Sequence, residues 1–136
     1  VTYYHMYSAV TTPLYPFGHG LSYTTFEYSG LAVPSAWDLN TTSNINVKVT
    51  VTNTGNIDAD EVVLMYLSDL YCTVSPSVKR LRNFQRIHLR AQQSTTLTWT
   101  ITMQDLAFVN RALQYAVESG TFEVSVGSQS QNFQLA

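Results

Sequence analysis

Two stretches of this chain alternate so strictly that only a β-strand can use them. From Ile45 to Val51 every second residue is apolar, and from Leu97 to Met103 the apolar Leu97, Trp99, Ile101 and Met103 alternate with Thr98, Thr100 and Thr102. A period of two sends successive side chains to opposite faces, so each stretch predicts a strand with one face in a core and the other in water. Phe122, Val124 and Val126 repeat the pattern, and the residues from Glu61 to Asp69 are apolar on both faces, as an interior strand would be. No stretch shows the 3.6-residue period of a full helix; the residues after Met103 predict one helical turn at most, with Asp105 near its start.

Turn signals separate these strands at intervals of about ten residues. Pro34 closes a first strand that begins near Thr25, Gly55 sits in an Asn-Thr-Gly turn, and Ser119-Gly120 precedes the Phe122 strand. Between Val78 and Leu89 the spacing of Leu81 and Phe84 slips by one, which predicts a core-facing strand with a bulge. Residues 35–44 read as a polar loop. The expected fold is all-β, an antiparallel β-sandwich of the immunoglobulin or fibronectin type III kind with seven to eight strands. A single cysteine, Cys72, excludes the disulfide-centred version. Residues 25–136 would form this domain.

Composition narrows the function. The 136 residues carry 12% charged and 45% apolar side chains, which argues against disorder, and the net charge of -2 argues against nucleic acid as a partner. Lys79, Arg80, Arg82, Arg86 and Arg90 are spaced to share one face of a strand, read as a solvated face. The longest apolar run, Val62 to Leu67, is far too short to cross a membrane. The chain starts at Val1 and reads as a piece of something longer.

Catalytic chemistry is not visible. The acids Asp58, Asp60 and Glu61 cluster on a turn but match no calcium-loop spacing, and His5, His19 and His88 fall in three separate elements. No Gly-x-Ser-x-Gly elbow exists. No catalytic residue, metal site or cofactor is expected. Trp37 in its polar loop and Tyr71 are the candidates for an exposed sugar-contact platform, while Trp99 alternates inward. Asn40-Thr41-Thr42 is an N-glycosylation acceptor on the same loop.

Residues 1–24 have no clean period, and Pro13, Pro16, Gly18 and Gly20 bar a helix. Tyr15, Phe17, Tyr23 and Phe26 give this irregular segment more apolar surface than a free linker exposes. Two readings stand side by side: the four aromatics join the domain's own core, or the segment packs on the end of the sandwich with one side and docks a preceding domain with the other, with Tyr15, Phe17, His19 and Tyr23 as the docking candidates.

The same segment carries a resemblance. Pro16, Phe17, Gly18, Gly20, Leu21, Ser22, Tyr23, Thr24 and Phe26 match the Pro-Phe-Gly-x-Gly-Leu-Ser-Tyr-Thr-x-Phe run that leads into the C-terminal fibronectin type III-like domain of glycoside hydrolase family 3 enzymes. The Asn53-Thr54-Gly55 turn, the Asp60-Glu61-Val62-Val63 strand, and Val78, Lys79, Leu81, Phe84, Arg86 and Leu89 continue the likeness, as do Asp105-Leu106 and Glu118 to Gly127. The chain departs at Ala91-Gln92-Gln93, where that family has Pro-Gly-Glu, and at Val109, where a Trp often stands.

The resemblance implies a noncatalytic accessory domain of a secreted, extracellular β-glucosidase or β-xylosidase. The catalytic carboxylates of that family lie in preceding domains, which would be this chain's partners. The alternatives are a carbohydrate-binding module that contacts polysaccharide, and a domain recruited to an extracellular structural protein that self-assembles through charge-poor strand edges.

Overall fold

The computed structural model describes residues 14–15, 18–71 and 79–136. Phe17, His5 and Cys72 lie outside the described residues. Seven long strands form the body: β1 (Phe26–Ala32), β3 (Asn44–Asn53), β4 (Ala59–Asp69), β5 (Arg80–Leu89), β6 (Ser94–Thr102), β9 (Gly120–Val126) and β10 (Gln129–Leu135). Three two-residue strands, β2 (Ala36–Trp37), β7 (Phe108–Val109) and β8 (Tyr115–Ala116), and one turn of helix, α1 (Met103–Leu106), complete it. Among the described residues the order β1-β3-β6 makes one main sheet and β2-β10-β9-β4-β5 the second, with β7 and β8 paired as a small separate ribbon, so the expected two-sheet sandwich is what forms.

The period-two faces meet in the middle. Ile45, Val47, Val49, Val51, Leu97, Trp99 and Ile101 come from the smaller sheet; Val63, Met65, Leu67, Phe122, Val124, Val126 and Phe133 come from the larger. All are buried. Phe122 and Phe133 face each other across the β9–β10 pair with stacked rings 5.5 Å apart. Outside, the smaller sheet is knitted by hydroxyls and amides instead of charges. Thr52 and Ser94 hydroxyls lie 2.7 Å apart, and the Thr100 hydroxyl donates to the Asn46 side-chain oxygen at 3.0 Å. Met103, expected inward, is instead 43% exposed, because the strand ends at Thr102 and the chain turns into α1. There the Asp105 carboxylate accepts from the Thr102 backbone N–H at 2.8 Å and fixes the first turn.

Asn53, the last residue of β3, is the polar centre of one end of the sandwich. It is fully buried. Its side-chain oxygen accepts from the Thr24 hydroxyl at 2.7 Å and the Gly55 N–H at 3.1 Å; its amide nitrogen donates to the carbonyls of Ile57 at 2.8 Å and Leu89 at 3.2 Å. Its backbone N–H donates to Gln93 O at 2.9 Å. Every bond an amide can make is made, and the partners belong to the segment before β1, the β3–β4 turn, and the end of β5 with the turn that follows it. A Cβ at Gly55 would overlap the Thr24 side chain, so the glycine is what lets the segment lie down on the turn.

Across the open side between the sheets, Tyr28 of β1 reaches Glu61 of β4, donating its hydroxyl at 3.1 Å. The ring rests on Gly127, whose φ of 57° and lack of a Cβ both serve the contact. Burial raises the pKa of Glu61, and burial, with the Glu61 charge behind it, raises that of Tyr28.

Two other residues, neither glycine, hold a left-handed backbone: Gln92 at φ 60° and Leu113 at φ 59°. Gln92 is the third of the four residues between β5 and β6, and its side-chain amide donates to the carbonyls of Thr54 and Gly55 at 2.9 and 3.0 Å. Leu113, at the tip between β7 and β8, has a side chain 86% exposed. The same backbone cost is thus offset at one site and not at the other.

Two outcomes are expected in urea denaturation. Asn53→Ala should cost about 2–4 kcal/mol, since it strands buried donors and acceptors in three segments. A value below about 1 kcal/mol would show that water replaces the amide. Leu113→Gly should stabilise by about 0.5–1 kcal/mol, whereas Gln92→Gly should be neutral or destabilising because it exchanges two hydrogen bonds for backbone freedom; equal gains at both positions would contradict the Gln92 assignment.

Candidate docking face

The outer face of the larger sheet is the surface this sequence leaves unfinished. On β4 the residues opposite the core are Val62, Leu64 and Tyr66; across the β4–β5 pair they face Arg86, Phe84 and Leu81. Val62 is 48% and Phe84 66% exposed. The predicted slip in β5 is present as a register shift between Met65 and Tyr66, which leaves Arg82 without an opposite residue. It brings Leu81 and Phe84 to one face, as the spacing implied, but to the outer face and not the core. The reason is register: β5 is an edge strand, and pairing Phe84 with Leu64 commits it to the side of β4 that has no sheet above it. The same shift separates the basic residues. Arg80 pairs opposite the core residue Leu67 and donates to Ala107 O at 3.2 Å, while Arg86 stands outside, so the five do not share a face.

The segment before β1 lies along this face. Thr24 is bonded to Asn53 at one end of its run, and at the other a Cβ on Gly18 would come within 2.6 Å of the Leu64 side chain. The segment therefore crosses β4 and touches it with a glycine, while the large side chains described on it are exposed. Tyr15 is 67% and Tyr23 96% exposed, and Leu14 and Leu21 are exposed with them. His19, also exposed, stacks on Tyr15 with ring centres 5.0 Å apart. Three of the four docking candidates thus sit on the segment with their surfaces open; Phe17 lies outside the described residues.

Charge forms a rim. Lys79 lies over the Tyr66 ring, 4.8 Å from its centre. Asp60 accepts from His88 Nδ1 at 2.7 Å and from Arg86 Nε at 3.0 Å; these bonds, His88 first, hold the Asp60 carboxyl below its ordinary value. Asp58 accepts from the Ala91 N–H at 2.9 Å and Glu61 from Tyr28, so each acid of the Asp58–Glu61 cluster has a protein partner. Among the described residues no group of three or more His, Cys, Asp or Glu could hold a metal ion, and no helix is long and apolar enough to cross a membrane.

The sugar-contact pair separates. Tyr71 is 76% exposed, but Trp37 is 1% exposed and cannot serve as a platform. Its stretch is not all loop: β2 pairs in parallel with the end of β10, which swings the indole against Phe133, and the indole N–H donates to Thr42 O at 2.9 Å. A two-residue strand that depends on a partner far along the chain leaves no local period to read.

The profile of the fibronectin type III-like domain matches residues 61–130, and the strand order above is that of a two-sheet sandwich. This chain belongs to the fibronectin type III-like domain family. The domain is 41% identical over 95% of its length to a lysosomal β-glucosidase of Dictyostelium discoideum, and 41% identical over 88% to a β-xylosidase of Formosa agariphila. It superposes with a TM-score of 0.86, at 31% identity over 98% of its length, on a β-D-glucoside glucohydrolase of Trichoderma reesei. It spans only 17%, 16% and 22% of those proteins.

The rim gives a direct test. In NMR titration Asp60 should titrate below the ordinary value, and His88→Leu should move its midpoint upward; an unchanged midpoint would show that the His88 contact does not hold the carboxylate.

Proposed function

We propose that this domain is a noncatalytic accessory unit of a glycoside hydrolase acting on β-glucosides or β-xylosides, and that it docks the preceding catalytic domains through the outer face of its larger sheet. Residues 1–24 lead in from those domains, and the sandwich begins at Thr25. The observation that carries the reading is the pairing of an open apolar face, Val62 and Phe84, with a segment whose Tyr15, Leu21 and Tyr23 face solvent. A domain that stood alone would not leave such a surface bare. The similar proteins have most of their length outside the matched region, which supplies the occupant: the rest of the same chain. The lysosomal relative supports a parent that enters the secretory route.

The polysaccharide-contact reading keeps Tyr71 but loses Trp37, and one exposed aromatic does not make a stacking platform. The domain alone should not hydrolyse a chromogenic β-glucoside. Phe84→Asp should leave the isolated domain's stability within about 0.5 kcal/mol but weaken the parent by about 1–3 kcal/mol, the worth of one large buried apolar side chain. A parent whose stability is untouched by Phe84→Asp would place the docking surface elsewhere.

A further inference from the structure

We propose that Asn40 carries an N-linked glycan, and that the fold sets this glycan on the edge of the sandwich away from the docking face. The sequence offers one Asn-x-Ser/Thr triplet without proline, Asn40-Thr41-Thr42. All three residues are accessible at the surface. They form a tight turn: the Thr41 and Thr42 N–H groups both donate to Asp38 O, at 3.1 and 3.0 Å. Asp38 Oδ1 accepts from the Asn40 backbone at 2.8 Å and from its side-chain nitrogen at 3.1 Å.

The chemistry fits this geometry. In the transfer, Asn40 Nδ2 bonds to the anomeric carbon of a lipid-pyrophosphate-linked oligosaccharide; the sugar–phosphate bond breaks, the lipid pyrophosphate leaves and the amide loses one proton. The nitrogen has two hydrogens and spends one. The other can still donate to Asp38, so the finished glycan is compatible with the folded turn. The turn is firmly mounted, because the buried Trp37 indole holds Thr42 O.

Position is the second argument. The turn follows β2, one edge of the larger sheet, while the docking face lies on β4 and β5 at the other. Two strands, β10 and β9, stand between β2 and β4, a separation of about 14 Å at the usual strand spacing. A glycan at Asn40 therefore clears the contact with the catalytic domains, whereas one on β4, β5 or the leading segment would block it.

The glycan depends on the proposed secretory route for its sugar donor, and the experiment separates the two. The parent protein is recovered from the secretory compartments and medium of its own cells, and peptides spanning Asn40 are analysed by mass spectrometry before and after peptide N-glycosidase. The expected result is a glycopeptide that the enzyme converts to one with aspartate in place of Asn40, and its loss in Asn40→Gln and in Thr42→Ala. Thr42→Ala keeps the backbone carbonyl that Trp37 uses, so folding is preserved. A secreted parent with bare Asn40 overturns this proposal alone; a parent confined to the cytosol overturns both it and the secretory route.

Discussion

One buried amide ties this domain's turns to its sheets. The sandwich has two faces of valine, leucine and phenylalanine that would bury themselves in many registers. At Asn53 those faces are pinned: five hydrogen bonds converge on one residue at the end of β3, from the segment before β1, from the β3–β4 turn and from the β5–β6 turn. Because it is buried, any shift of one turn relative to the others strands a polar group away from water. The nonpolar core supplies the driving force, and the amide specifies which arrangement uses it.

That pinning also explains the position of the leading segment. Thr24 is held at Asn53, and Thr25 O accepts from the Thr54 N–H at 2.8 Å, so the chain must enter the sandwich at that end. From there the segment runs back across β4, where Gly18 clears Leu64. Its described part is a strap laid over the outer sheet, with Tyr15 and Tyr23 exposed.

The exposed left-handed residues show a similar economy. The β5–β6 turn needs a residue with positive φ, and a glycine would serve. Gln92 serves instead because its side chain reaches the carbonyls of Thr54 and Gly55 and so joins two turns at the Asn53 end. The departure from Pro-Gly-Glu noted in the sequence is therefore a local exchange of backbone freedom for a cross-turn link, with no consequence for the sheets.

Much of the body was legible in the chain itself. Strict alternation identified the buried faces of β3, β6 and β9 residue by residue, because a period of two is a local property and needs no knowledge of partners. The motif around Gly18 to Phe26 pointed to the family before any coordinate. What could not be read was set by pairing. Trp37 reads as a loop aromatic until β2 pairs with β10; Phe84 reads as core until its register with Leu64 turns it outward; Asn53 reads as an ordinary turn residue until two distant segments and its own turn close around it. Sequence alone decided which residues are apolar on alternate positions, and hence that two sheets must stack. Only the tertiary structure decided which face of an edge strand is covered, since that depends on which strand lies beside it and on whether anything lies above.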